Sequence, residues 1–477
     1  MKRMRKWMAG LAAGLLAVAV LCTQAAAYTP YDSFNFVYRQ GKLSRAQCPA
    51  PFYPVRIIDK AGEGIPLSAP ADIFAAPDGY LYLVDQKAGL LVKMSAELQP
   101  VMVLDGPADR EEDLFRSPEG VFVDEEGKIY VADTENHRVV VLNSDGSWIK
   151  AIENPQNEVL GTDYIFAPRK VAVAGGDRLL VVAQSQVNGI MEFDGSGRFI
   201  GFLGSNQVSA SPLEILLRSL LTKEQRDKML QFIPLEYNNL CVDNEGFIYG
   251  VTKATDQADK IKKLNLGGED VLLRSEYMTM ATQMSQIEDI CTDAQGNYSY
   301  IDSRDGKIYT YNQDGYLLYA FGGLSSQAGT FQSPSAIEYA AGQLLVCDAV
   351  RGCVTVFERT PYAQAIEDAD SLFRRQDYDA SRQRWEDTLR MNCNFELAYI
   401  QIGRILYRQD AYGEAMDYFK KGNFRGENYV SGYGMAFEKY RAVFLQENLQ
   451  LILTILAAAA AALILLAVWR RHRRKRG

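Results

Sequence analysis

One pattern recurs between residues 67 and 357, and it limits the possible folds more than any other feature of the chain. Each copy is a short apolar strand, often led by proline, then a turn ending in glycine. A second strand follows, with tyrosine three and aspartate six places after that glycine. The second copy is the clearest: Ser117-Pro118-Glu119-Gly120-Val121 leads through Asp124-Glu125-Glu126-Gly127 to Ile129-Tyr130-Val131-Ala132-Asp133. The turn glycines are Gly79, Gly127, Gly176, Gly246, Gly296 and Gly342, in steps of 48, 49, 70, 50 and 46 residues. Four steps near 48 mark a repeated supersecondary unit. The long step holds an insert of about 20 residues near Pro212–Phe232, where Leu213–Leu221 has helical apolar spacing.

Each copy carries four short strands rich in Val, Ile, Leu and Tyr, with Asp-Gly or Glu-Gly pairs in the loops. In the first copy they are Asp72–Ala75, Tyr80–Asp85, Leu90–Met94 and Pro100–Leu104. Four strands per repeat with a glycine turn at a fixed place describe a propeller blade. The sixth copy stops after its third strand, Cys353–Phe357, while a strand without a blade, Tyr53–Asp59, lies ahead of the first. Its pattern matches Gln99–Asp105, the fourth strand of the first copy. Residues 53–59 are therefore expected to complete blade six and close the ring, which removes exposed strand edges. The fold class expected is mainly β: a six-bladed propeller over residues 52–360, with a helical insert at about 205–236.

The residues Pro118, Gly127, Tyr130, Val131, Asp133, Asn136, His137, Arg138 and Val139 closely match the NHL repeat, and the chain resembles that family over about residues 52–358. The strand-two aspartate recurs as Asp85, Asp133, Asp302 and Asp348, and is Ala183 and Thr252 in blades three and four. The resemblance implies a six-bladed propeller acting as a recognition platform. Some relatives are enzymes, including peptide-amidating lyases and the looser gluconolactonase group. Anchored bacterial members of this layout are met beside sugar-uptake transporters.

The two ends suggest a location. Lys2, Arg3, Arg5 and Lys6 precede the apolar run Met8–Leu21 and the small residues Ala25–Ala27, so residues 1–27 are expected to be a secretory signal. Residues 28–51 form an arm with Tyr28, Tyr31, Phe34, Phe36 and Tyr38, able either to contact a partner or to pack on the outside of a blade. Leu449–Trp469 is uncharged and long enough to cross a hydrocarbon core. The basic tail 470–477 beside it is expected to stay cytoplasmic, leaving residues 28–448 outside the cell membrane. All 59 acids lie between these two basic ends, and so strongly acidic a body argues against a nucleic-acid partner.

A second repeat occupies residues 361–446. Leu372, Tyr378, Ser381 and Trp385 recur 34 places later as Leu406, Tyr412, Ala415 and Phe419. The period and the helical spacing resemble tetratricopeptide repeats. A last helix around Tyr433–Phe444 is expected to cap the pair.

Candidate chemistry concentrates where the first strands begin, because these line the channel of a propeller. Aligned on the turn glycines, the positions are Asp72, Glu119, Arg169-Lys170, Asn238-Asn239, Glu288-Asp289 and Ser335. Such a polar mouth can be merely wet, or it can bind a polar ligand or, through oxygen atoms, a divalent cation. The gluconolactonase resemblance implies a metal there, whereas Arg169 and Lys170 would neutralise carboxylates and oppose one. His137 can be read as a base or ligand; the family resemblance makes it a turn residue within the Asp133, Asn136, Arg138 motif. The ectodomain holds no other histidine, which weighs against an amidating lyase. Cys241 and Cys291 occupy equivalent places and read as core filling. Cys347 and Cys353 flank a five-residue turn and are candidates for a disulfide. No phosphate loop, nucleophile elbow or His-Glu-x-x-His run is present. The function expected is recognition of an extracytoplasmic protein or saccharide without catalysis or cofactor. The alternative is a metal-dependent gluconolactonase-like hydrolase at the mouth.

Overall fold

A computed structural model describes residues 29–39, 42–155, 157, 159–161, 164–205, 236–253, 259–275, 278, 282, 285–422 and 432–474. The expected signal sequence and the helical insert lie outside the described residues. Two compact units are present: Met1–Asn35 with Gln47–Ala363, and Phe36–Ala46 with Gln364–Gly477.

The first unit is a six-bladed β-propeller. Blade one comprises Pro70–Ala75, Leu81–Asp85, Leu90–Met94 and Pro100–Leu104, each strand antiparallel to the next. Blade two follows with Pro118–Val123, Ile129–Asp133, Arg138–Leu142 and Trp148–Ile152. Blade three has Pro168–Ala174, Arg178–Ala183, Ile190–Phe193 and Phe199–Leu203. The six turn glycines share one left-handed backbone conformation, φ 79–82°, which a side chain rarely adopts. That shared need explains why glycine keeps the period while its surroundings drift.

Blade four departs from the expected four strands. Among the described residues, Tyr237–Val242, Ile248–Thr252 and Ile261–Leu264 are followed only by a single bridge, Leu264 to Asp270. The Asp270 carboxylate accepts the backbone N–H groups of Lys263 (3.2 Å) and Leu272 (3.1 Å). A side chain thus takes up backbone donors locally and competes with a ladder.

Blade five consists of Ile287–Thr292, Tyr298–Asp302, Lys307–Tyr311 and Leu317–Gly322. The N-terminal arm adds a further strand here: Asp32, Ser33 and Phe34 pair with Gly322, Phe321 and Ala320. Of the two readings of the arm, packing on a blade is the one observed for these residues. Blade six contains Pro334–Ala340, Gln343–Asp348 and Cys353–Arg359, and its fourth strand is Phe52–Ile58. Ile58 lies opposite Val354, Ile57 opposite Thr355 and Arg56 opposite Val356, so the first strand closes the ring. Phe52 is fully buried, and its ring stacks on Phe321 at 5.2 Å.

The core lies between blades, because each blade is buried on both faces. Along strand two of blade one, Leu81 and Leu83 face a cluster with Leu345 and Val356 of blade six. Tyr82 and Val84 alternate with them and face Val121, Val131 and Val140 of blade two. Period-two alternation here separates two apolar interfaces rather than core from water.

The strand-two aspartates pin the blades that carry them. Asp133 accepts the Arg116 N–H at 2.7 Å and is held by Asn136 and Arg138, both at 2.8 Å. Asp85 takes the N–H groups of Ser68, Ala69 and Ala88, and Asp348 those of Gln332, Ser333 and Arg351. His137 adopts the left-handed turn conformation, φ 58°, with Nδ1 3.1 Å from the Phe166 carbonyl oxygen of the next blade.

Among the described residues, the second unit holds five helices, the first of which starts just before it: α1 (Pro361–Arg374), α2 (Tyr378–Met391), α3 (Glu396–Arg408), α4 (Tyr412–Lys421) and α5 (Tyr433–Arg474). The 34-residue period is visible in the backbone. Gln376 and Asp410 both end a helix in a left-handed turn. Asp377 and Ala411 then donate to the Leu372 and Leu406 carbonyls. Trp385 and Phe419 are both buried, and Gly403 makes room for the Phe419 ring. The arm residues Phe36–Ala46 belong to this unit, and the Tyr38 N–H donates to Glu396 Oε1 at 3.0 Å.

The separate cap and spanning helix expected from the sequence are one continuous element. Neither glycine nor proline interrupts the chain between Phe444 and Leu449, so nothing stops α5. It is 42 residues long, about 63 Å at 1.5 Å per residue. By length and composition it is long and apolar enough to cross a membrane.

Candidate functional site

A β-bulge near the start of the first strand, in every blade, builds the channel mouth. Register shifts fall between Pro70 and Asp72, Pro118 and Gly120, Pro168 and Lys170, Tyr237 and Asn239, Ile287 and Asp289, and Pro334 and Ala336. A bulge inserts one unpaired residue and re-aims its neighbours. The mouth positions expected from the sequence therefore separate into two rings. The bulged residues Ala71, Glu119, Arg169, Asn238, Glu288 and Ser335 form the outer ring. Asp72, Gly120, Lys170, Asn239, Asp289 and Ala336 form the inner one.

Alignment on the turn glycines merged these rings. Asp72 and Glu119, taken there as equivalent, belong to different rings. The first hairpins of blades three and six are one residue shorter between bulge and glycine, which displaces Arg169 and Ser335 by one place in that alignment.

Hydrogen bonds link the outer ring from blade to blade. Arg169 Nε donates to Glu119 Oε2 at 2.7 Å and its Nη1 to Asn238 Oδ1 at 2.9 Å. Asn238 Nδ2 donates to the Glu288 carbonyl at 2.7 Å, and Ser335 Oγ to the Pro70 carbonyl at 2.6 Å. Three residues that the sequence reading missed join from the ends of second strands. Gln86 and Gln184 both donate to Glu119 Oε1, at 3.1 and 3.3 Å, and Lys253 donates to Glu288 Oε1 at 2.6 Å. The signal for them was their place immediately after the strand-two aspartate or its substitute.

The inner ring is a buried charge network. Lys170 is 9% exposed, Asp72 6%, Asp289 4% and Asn239 2%. The Lys170 ammonium bonds Asp72 Oδ1 and lies 4.0 Å from Asp289 Oδ1, which also accepts from Asn239 Nδ2 at 2.5 Å. The second carboxylate oxygens take backbone donors of the next blade, Val121 for Asp72 (2.9 Å) and Ile337 for Asp289 (2.7 Å). Lys170 reaches from blade three to blade one past Gly120. A Cβ on Gly120 would collide with the Arg169 carbonyl oxygen, so the close approach needs glycine.

Burial raises both carboxyl pKa values and Lys170 opposes it; Asp289 is pushed up to about 6. Burial opposes the charge on Lys170, but Asp289 and Asp72 outweigh it and raise its pKa. An ammonium thus stands among the carboxylates where the gluconolactonase-like alternative requires a divalent cation. A donor set containing its own fixed cation does not fit that metal.

Cys347 and Cys353, the candidate disulfide pair, are both free thiols. Cys347 lies opposite Val354 and Cys353 opposite Asp348, so the two side chains point to opposite faces of one sheet. Cys241 and Cys291 sit two residues further along the channel strands than Asn239 and Asp289, on the same faces.

Residues 115–142, from the loop ahead of blade two through its third strand, match the NHL repeat model. NHL repeat-containing protein 3 of Homo sapiens is 32% identical over 131 residues, covering 26% of this chain and 38% of that protein. Its Mus musculus counterpart is 32% identical over 119 residues, covering 24% and 32%. The chain thus spans about a third of the length of the curated relatives it matches. Among solved structures, a virginiamycin B lyase from Staphylococcus aureus superposes with a TM-score of 0.40 at 12% identity, covering 69% of this chain and 95% of that one. A structural genomics protein of unknown function from Bacteroides thetaiotaomicron gives 0.42 at 14%, covering 67% and 79%.

Proposed function

We propose that this protein is a membrane-anchored, extracytoplasmic recognition module, non-catalytic, whose propeller mouth docks a protein or saccharide partner. One observation carries the reading: the charged and amide groups of the mouth are tied to one another across blades. Glu119, Arg169, Asn238 and Glu288 form a fixed polar surface, with Lys170 paired to the Asp72 carboxylate beneath it. Catalytic groups need a poised protonation state and room to act. Here the side chains are engaged as ion pairs and amide bonds, and such preorganised polar groups suit specific recognition.

The long apolar α5 supports anchoring in the cell membrane by its C-terminal part, with the basic residues on the cytoplasmic side. Anchoring raises the effective concentration of the mouth near other membrane proteins, so a weak contact suffices. A sugar-uptake transporter is the first partner to test.

The test is crosslinking in intact cells with identification of neighbours. Arg169→Glu sets two carboxylates side by side and should abolish the principal crosslink. Arg198→Glu, on an exposed turn of blade three, should leave it intact. An unchanged crosslink pattern in Arg169→Glu would overturn the mouth as the contact.

A further inference from the structure

The channel strands carry a third ring beyond the charge network, and nothing in the recognition reading uses it. Period two along each first strand places Phe74, Phe122, Ala172, Cys241, Cys291 and Glu338 on the faces that carry the inner ring. The Phe74 and Phe122 rings meet across neighbouring blades, 4.6 Å between centroids. Phe122 packs against the clusters of both the blade two–three and the blade three–four interfaces, which puts it toward the axis. Glu338 feels the charges of Asp289, Asp72 and Lys170, and Cys241 and Cys291 both feel Glu338. One side of this ring is therefore aromatic, and the other is a carboxyl group beside two thiols.

Glu338 Oε1 accepts the Tyr339 N–H at 2.8 Å, and Oε2 has no hydrogen-bond partner among the described residues. Phe74, Phe122, Cys241 and Glu338 all retain partial exposure, so the space in front of them admits solvent. The inner ring holds one ammonium against two carboxylates, leaving an excess of negative charge on the axis beside it.

We propose that this end of the channel binds a small organic ammonium ion, its charge against Glu338 and its alkyl groups against the faces of Phe74 and Phe122. Aromatic faces attract a desolvated cation through their quadrupole, and a neighbouring carboxylate adds the counter-charge. Cys241 and Cys291, kept neutral by burial, line the wall without competing as anions. Without a ligand, burial holds the Glu338 pKa well above the usual carboxylate range, with Asp289 and Asp72 adding to the effect and Lys170 opposing it. Arrival of the cation ionises Glu338, so binding at pH 7 releases a proton to the buffer.

Calorimetric titration of the detergent-solubilised full chain with tetramethylammonium and with n-butylammonium tests this. At least one ion should bind with a Kd below about 10 mM. The heat should differ between phosphate and PIPES, neither of which carries net positive charge, in the sense of proton release, and tert-butanol, an uncharged analogue of similar size, should not bind. Glu338→Gln should weaken the ion about tenfold or more and abolish the proton release. Phe122→Leu should weaken it about fivefold with the release retained. Should Glu338→Gln fail to fold, the proton release of the native chain and the Phe122→Leu affinity still decide. Absence of binding by both ions, equal binding of tert-butanol, or a Glu338→Gln affinity equal to native would each overturn the proposal. None of these outcomes depends on whether the opposite mouth docks a partner.

Discussion

Lys170 shows how one side chain sets the character of the channel. It is buried between Asp72 and Asp289. Removing one partner of a buried charge group leaves uncompensated charge and typically costs about 3–5 kcal/mol. Lys170→Met is expected to lower unfolding stability by about that amount in urea titrations, and adding Asp72→Asn should recover part of it. Asp289 gives a pH signature. Its folded pKa of about 6 lies above that of the unfolded chain. Its stabilising contribution is therefore fully present below about pH 4 and is lost as the pH rises through 6. Thermal melts of native protein and Asp289→Asn across pH 4–7 should diverge in that window, the variant lacking this loss. A constant difference across it would show that Asp289 does not titrate there.

At the scale of elements, closure of the ring rests on the strand Phe52–Ile58. Its outward residues Val55 and Ile57 are half exposed, and its hold on the ring rests on pairing with Cys353–Arg359 and on the buried Phe52. Phe52→Ala is expected to cost about 3–5 kcal/mol. It should also raise amide exchange at Val354–Val356 to the rate of an edge strand while blade two stays protected; hydrogen exchange read by mass spectrometry checks this. The pairing itself was legible in the sequence, because Tyr53–Asp59 repeats the pattern of a fourth strand. The glycine turns were legible too, since a left-handed turn leaves one residue type little alternative. The bulge was not. It changes no residue type, only the register, so Arg169 and Lys170 looked like one site although they serve two rings. The missing fourth strand of blade four was also hidden, because Asp270 reads as an ordinary loop residue until its carboxylate is seen to take the Lys263 N–H. Cys347 and Cys353 had a plausible spacing, but an offset of one residue across the ladder turned them to opposite faces.

For the whole molecule, orientation across a membrane is the property to measure. Cys393 is a free, exposed thiol, whereas Cys291, Cys347 and Cys353 are buried. A membrane-impermeant maleimide should label the native chain in intact cells at Cys393, and Cys393→Ser, left with the partly buried Cys48 and Cys241, should label far more slowly unless the protein is denatured. Labelling of the native chain only after lysis would place the helical unit on the other side.

Joining the first strand of the propeller to its last also dictates an order of events during synthesis. Phe52–Ile58 emerges early and has no mate until Cys353–Arg359 is made, so it must wait while five blades assemble. Nascent chains stopped before residue 353 would be unlatched rings with a sticky lip, open to strand exchange with each other. Only with the last few residues of blade six does the circle lock, and from then on a nick in any surface loop leaves two pieces still clasped together.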